Sequence, residues 1–233
     1  MTHDPFTLSC LIPAYNEGPR IAQVLGAVAD HPLIDEVIVI DDGSSDDTAE
    51  IARGFGVRVL TQTPNGGKTR AVVAGIAAAR GSHLLLLDAD LLGLTPDALT
   101  ALIEPVRSGA VQATISLRGN APAPWRLIGL DYISGERVLP RHILAAQLQA
   151  LTELPRFGLE VFMNRLWLHH RLRLRVVRWP GVASPMKHAK RGWRAGISAD
   201  LKMMADIFAT IPPQEALRQI LKLRAASTEA VRG

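Results

Sequence analysis

The 233-residue chain is poor in several things, and each shortage excludes a class. It holds one cysteine, Cys10, so it forms no internal disulfide framework and no cysteine-based zinc site. Aromatic residues are 5% of the total, and the interleaved aromatics of an RNA-binding platform are missing. Long apolar runs are missing too. The leucines 84–87 stop at Asp88, and no stretch nears the ~20 apolar residues that cross a bilayer. The first five residues, Met1-Thr2-His3-Asp4-Pro5, carry no basic segment followed by an apolar one, so no signal peptide is expected. These shortages predict a cytoplasmic chain, at most resting on the inner face of a membrane. No G-x-G-x-x-G follows the first predicted strand, which disfavours a nicotinamide or flavin enzyme. The G-x-x-x-x-G-K-[ST] phosphate loop is absent as well.

What is present is a globular composition, 48% hydrophobic and 21% charged. Charge is unevenly placed. Residues 1–159 hold 12 Lys/Arg against 17 Asp/Glu, whereas residues 160–233 hold 14 against 5. The acidic part suits a cation site. The basic part suits an anionic partner or a solvated surface.

Element signals alternate through the first half. Thr7–Ile12, Glu36–Ile40, Val57–Thr61 and His83–Leu87 read as short buried strands. Pro19–Ala29, a segment starting at Asp46 or Asp47 and running to Phe55, and Lys68–Arg80 read as the helices between them. That order predicts an α/β fold with a mostly parallel, doubly wound sheet covered by helices on both faces. Ligands of such sheets bind beyond the carboxyl ends of the strands. Further on, a helix from Thr95 to Ser108, a strand over Val111–Leu117, a Pro-rich loop over Asn120–Trp125 and a helix over Leu139–Leu151 are expected. A helix over Phe157–Leu172, a strand over Arg173–Trp179, a loop over Gly181–Ile197 and a terminal helix over Pro213–Ala226 follow. One domain over 1–233 is expected, its regular alternation loosening after Leu94.

Three strand ends carry the chemistry. Asp88-Ala89-Asp90 closes the leucine strand, where two carboxylates are oxygen ligands for Mg²⁺ or Mn²⁺ or, alternatively, the polar start of a helix. Asp41-Asp42-Gly43-Ser44 closes another, as acceptors for a nucleobase or ribose or as a plain turn. Asn65-Gly66-Gly67-Lys68 enters a helix, whose free N–H groups and lysine favour an anion.

Taken in order, Ile12-Pro13-Ala14-Tyr15-Asn16-Glu17, Val39-Ile40-Asp41-Asp42-Gly43-Ser44, Gly66-Gly67-Lys68 and Leu87-Asp88-Ala89-Asp90-Leu91 resemble glycosyltransferase family 2. They also resemble retaining relatives of the same GT-A fold, such as the glucosyl-3-phosphoglycerate synthases. The resemblance is strong over residues 7–94 and thins after Ser134–Arg137 and Gly158–Glu160. It implies a nucleotide-sugar donor, UDP- or GDP-linked, held by Pro13, Ala14, Tyr15 and Glu17. Asp41 and Asp42 would face the base, Lys68 the base or phosphates, and Asp88 with Ala89 the ribose. Asp90 would bind Mg²⁺ or Mn²⁺, with His188 completing the metal shell. Glu136 and Glu160 are candidates for a catalytic base, or partners of Arg137 and Arg165. Arg137 would orient an anionic acceptor such as a phosphate or a lipid phosphate. The larger polysaccharide synthases carry Gln-x-x-Arg-Trp, which this chain lacks, so processive synthesis is not expected. A nucleotidyltransferase is a rival, although its Gly-rich loop is missing after the first strand. A non-catalytic nucleotide- or nucleic-acid-binding module is another. The basic segment around His169-His170 and Trp125, Trp167, Trp179 and Trp193 also suggests an interfacial rim on an anionic membrane.

Overall fold

The computed structural model describes residues 5–154, 158–185 and 211–229. Seven strands form one sheet in the order β3-β2-β1-β4-β6-β5-β7. They are β1 (Leu8–Ala14), β2 (Glu36–Asp41), β3 (Arg58–Thr61), β4 (His83–Leu86), β5 (Ala113–Arg118), β6 (Arg137–Pro140) and β7 (Leu174–Trp179). All neighbouring pairs are parallel except those of β6, which runs antiparallel to both β4 and β5. The two halves of the sequence therefore share one sheet, joined where β4 meets β6.

Strand side chains alternate between two buried faces, as a period of two requires. Cys10, Ile12, Val37, Val39, Leu85 and Leu87 pack under α1 (Gly18–Val28), α2 (Thr48–Gly54) and α4 (Pro96–Arg107). Leu11, Ile38, Ile40, Leu84 and Leu86 pack on the other side under α3 (Lys68–Ala78). That second layer also takes in α5 (Ala123–Ile128), α6 (Arg141–Ala145), α7 (Leu148–Thr152), α8 (Gly158–His169) and the terminal helix α9 (Pro213–Glu229). Cys10 lies buried between strands, and burial pushes its thiol far above the ordinary cysteine range. It is a packing residue, not a reactive one.

Three expectations change. Residues 139–151 do not form one helix: Arg137–Pro140 is strand β6, and the chain then makes two short helices broken at Ala146-Gln147. The strand was hidden because it is short, starts with a charged residue and ends in proline. Its pairing with Leu84–Leu86 supplies what its local pattern lacks. The Pro-rich stretch does not stay a loop to Trp125, since its prolines and Ala123 open α5. Trp125, Trp167 and Trp179 are buried in the cores, so they form no interfacial rim; Trp193 lies outside the described residues. The predicted loop Gly181–Ile197 is described only through Pro185.

Candidate functional site

The loops after β1, β2 and β4 leave the same edge of the sheet and are tied to one another. Asn16, with φ 54°, turns the chain after β1. Its N–H donates to Ser44 Oγ at 2.9 Å, and its side-chain oxygen accepts from the Ser45 N–H at 2.8 Å. The Glu17 N–H donates to Thr48 Oγ1 at 2.8 Å, and Gly18 donates to Asp46 at 3.0 Å. These bonds hold Glu17 at the start of α1, where its carboxylate meets Arg20 at 3.0 Å. Tyr15 stands half exposed beside it.

Asp41 and Asp42 are both buried. Asp41 accepts from the Ser44 N–H at 3.1 Å and closes its own turn. Asp42 accepts from the Gly66 and Gly67 N–H groups at 2.9 and 2.6 Å, and Asn65 donates to its carbonyl at 2.9 Å. The Asp42 carboxylate thus anchors the glycine loop, and both its oxygens are used there. The anion-favouring N–H groups expected at that loop are turned onto Asp42 itself.

Lys68 opens α3 and reaches across the cleft. Its Nζ lies 2.7 Å from Asp88 Oδ1 and 3.2 Å from Glu160 Oε1, Glu160 being in the first turn of α8. Burial works against the ammonium, but Asp88 and Glu160 outweigh it and hold it above the ordinary lysine range. Glu160 therefore pairs with Lys68, while Arg165 lies over the Phe162 ring. Lys68, Asp88, Glu160, Pro13 and Leu159 line a small cleft.

Asp90 stands beside this cleft. Burial pushes its carboxyl up to about 6; Asp88 and Glu17 push the same way, and Lys68 opposes them. The charges of Asp88 and Glu17, from two loops, are thus both felt at Asp90. Asp88 is backed by Gly135, where a Cβ would lie 2.7 Å from Oδ1 and 2.9 Å from Oδ2. A larger residue there would make that carboxylate shift, a contact invisible in sequence.

Glu136 and Arg137 follow Gly135 but turn inward. Glu136 is fully buried; Ser116 Oγ and Ser134 Oγ each donate to it at 2.7 Å, and Arg118 lies at 3.5 Å. Arg118 also donates to Asp131 at 3.1 Å and to Ser184 Oγ. Burial and the Glu136 charge raise the Asp131 carboxyl, against the pull of Arg118. Arg137 is fully buried as well. It donates to Ser134 O and Asn164 Oδ1 at 2.7 Å each and to Tyr132 O at 3.1 Å, and stacks 4.9 Å over Trp167. Burial pulls its guanidinium down to about 10, still charged at neutral pH. Glu136, a candidate base, and Arg137, a candidate acceptor contact, are thus both fully buried in this structure. The two do not pair with each other, since Glu136 is held by Arg118. Sequence reading passed over Arg118 and Asp131, which no local motif marks.

The fit of a divalent ion rests on the charge around Asp90. Mg²⁺ is held by one or two carboxylates with substrate phosphates and water, and a carboxyl raised by its acidic neighbours gains from such an ion. Among the described residues no group of three or more His, Cys, Asp or Glu makes a ready metal site. His188 lies outside the described residues.

In a mostly parallel, open α/β sheet of this kind ligands bind beyond the carboxyl ends of the strands, where these loops lie. Comparison with protein families goes further: residues 9–164 match Glycosyl transferase family 2, and the chain belongs to that family. A 4,4'-diaponeurosporenoate glycosyltransferase of Staphylococcus aureus is 31% identical over 117 residues, covering 48% of this chain and 31% of that protein. The chain spans about a third of the length of the curated relatives it matches. In fold it is similar to glucosyl-3-phosphoglycerate synthase from Mycobacterium tuberculosis, solved with Mn²⁺, UDP and glucosyl-3-phosphoglycerate. That match has a TM-score of 0.66 and 24% identity, covering 88% of this chain and 80% of the other. The same synthase with Mg²⁺ and UDP gives 0.66 and 24%, covering 88% and 79%. The expected GT-A-type architecture is the one observed.

Proposed function

We propose that this chain transfers a sugar from a nucleotide-diphosphate sugar, UDP- or GDP-linked, to an anionic acceptor, with a divalent cation assisting. The observation that carries the reading is the placing of Asp88 and Asp90 just beyond β4, Asp88 on the Lys68 ammonium at 2.7 Å; burial first, then the charges of Asp88 and Glu17, lift the Asp90 carboxyl to about 6. Family membership supports sugar transfer, and the synthase complexes with UDP and Mn²⁺ or Mg²⁺ support the donor and the ion. The loop Pro13-Ala14-Tyr15-Asn16-Glu17 forms one wall for the nucleoside. Asp41 and Asp42 shape that wall by holding its turns, and Asp88 with Ala89 faces the ribose. Asp90, with Asp88 beside it and His188 as a further candidate, would hold Mg²⁺ or Mn²⁺. When bound there, the ion neutralises charge on the leaving diphosphate. Lys68 sets the charge of the inner cleft and orients Glu160.

Glu160 replaces Glu136 as the carboxylate that meets the sugar or the acceptor. It borders the cleft, whereas Glu136 is sealed. With an acceptor that is already a phosphate, or a lipid phosphate, no strong base is needed. The synthase is also solved with UDP-glucose and phosphoglyceric acid, which supports such an acceptor. The test incubates the chain with UDP-glucose or GDP-mannose, with and without Mn²⁺, and follows release of nucleoside diphosphate. Metal-dependent release, increased by a phosphate-bearing acceptor, is the expected result. Nucleotide binding without release would instead leave a binding module.

A further inference from the structure

Away from the cleft, the three most exposed large apolar side chains among the described residues are Leu127 at 89%, Leu221 at 62% and Leu217 at 57%. They come from α5 and α9, which are neighbours in space. A Cβ on Gly129, the cap of α5, would lie 3.6 Å from the guanidinium of Arg224 on α9. Tyr132, just past α5, donates from its hydroxyl to Gln219 Oε1 of α9 at 2.7 Å. On α9, Ala216, Gln219, Ile220 and Leu223 face the core. Leu217 and Leu221, four residues apart, form a ridge beside that buried stripe, on the side of Arg224.

The apolar ridge is set among cations. Arg126 is exposed next to Leu127, and Arg218 and Lys222 are exposed next to Leu217 and Leu221. α5 contains no acidic residue, and α9 has them only in its first turn and at its last residue, Glu215 and Glu229. A helix face that combines exposed leucine with lysine and arginine matches the boundary between lipid headgroups and acyl chains.

We infer that the outer face of α5 and α9 docks on an anionic lipid surface, its leucines entering the boundary and Arg126, Arg218 and Lys222 meeting lipid phosphates. Charge decides for this occupant against a second copy of the chain. A symmetric pair would set Arg126, Arg218 and Lys222 against their own counterparts, with Glu215 in the first turn of α9 too few to offset them. The membrane contact thus moves from the tryptophans, which are buried, to leucines that are not. The inference stands apart from the transferase reading, because it needs no nucleotide and no residue of the cleft.

Flotation with vesicles tests it, using phosphatidylcholine alone and phosphatidylcholine mixed with phosphatidylglycerol. The chain is expected to float with the mixed vesicles at low salt and far less with phosphatidylcholine alone. Leu217→Glu/Leu221→Glu should weaken vesicle binding by at least about tenfold while leaving the melting temperature and donor turnover unchanged. Arg126→Gln/Arg218→Gln/Lys222→Gln, which keeps the leucines, should do the same and remove the salt dependence. Equal binding to both vesicle types, or undiminished binding by both variants, overturns the inference. So does concentration-dependent dimerisation that the leucine variant abolishes, since the face would then belong to a second copy. Salt-sensitive RNA binding that the cation variant abolishes, without vesicle binding, overturns it too.

Discussion

At the scale of single residues, Asp90 sets stability against function. Its carboxyl rises from 3.8 to about 6 on folding, so the folded chain binds this proton more tightly than the unfolded one. The contribution favours the fold at acid pH and is lost as pH rises from about 4 to above 6. Asp90→Asn removes that cost. In metal-free buffer at neutral pH the variant should be more stable by about 1 kcal/mol, a figure reduced for the solvent that still reaches the group. Its metal-dependent turnover should fall by at least about a hundredfold. Urea unfolding at two pH values and donor release read the two effects separately. Lys68 has the opposite balance. Lys68→Met leaves Asp88 and Glu160 facing one another without their shared cation, 2.7 and 3.2 Å from where it stood. Stability should drop by about 1–2 kcal/mol, below the cost of breaking a fully buried pair, because the lysine is partly exposed. Donor affinity should fall as well, seen as a rise in Kd by titration calorimetry.

At the scale of elements, the site depends on how loops brace each other. Asp42 anchors the Asn65–Gly67 turn through two N–H bonds, and that turn delivers Lys68 to the start of α3. Asp42→Ala leaves two backbone donors without their acceptor, at a cost of about 1–3 kcal/mol. The variant should unfold at lower urea and show a raised KM through loosening of the Lys68 turn, even with donors of different bases. A contact to the base would instead make the loss depend on the base. The strand β6 is braced in a different way. Gly135, just before it, lies against Asp88, so Gly135→Ala must displace that carboxylate. A large loss of turnover with a melting temperature within a few degrees of the parent is expected, by scanning calorimetry and donor release. The β1, β2 and β4 loops were readable in sequence because each ends an apolar run in Pro, Asp or Gly. β6 and its glycine were not, because their meaning lies in the β4 residues they oppose.

At the scale of the molecule, the halves have complementary charge: an acidic sheet edge, and a basic remainder ending in α9. A donor that brings its own phosphates can complete the metal shell at the acidic edge. Mn²⁺ alone should therefore stabilise the chain only slightly, and Mn²⁺ with a nucleotide sugar at ~100 times its Kd by about 2.7 kcal/mol. EDTA should erase the difference, as read by thermal unfolding. Composition and apolar periodicity alone determined the α/β alternation, the buried strands and the acidic strand ends, since these follow from local spacing and from which side chains water rejects. Only the tertiary structure decided which carboxylates stay available. Asp42, Glu136 and Arg137 look as functional in sequence as Asp88, Asp90 and Glu160, yet the fold holds the first three in buried hydrogen bonds, lines the cleft with Asp88 and Glu160 and leaves Asp90 half-buried beside them. Burial and partnership are set by residues distant along the chain, and no local pattern carries that information.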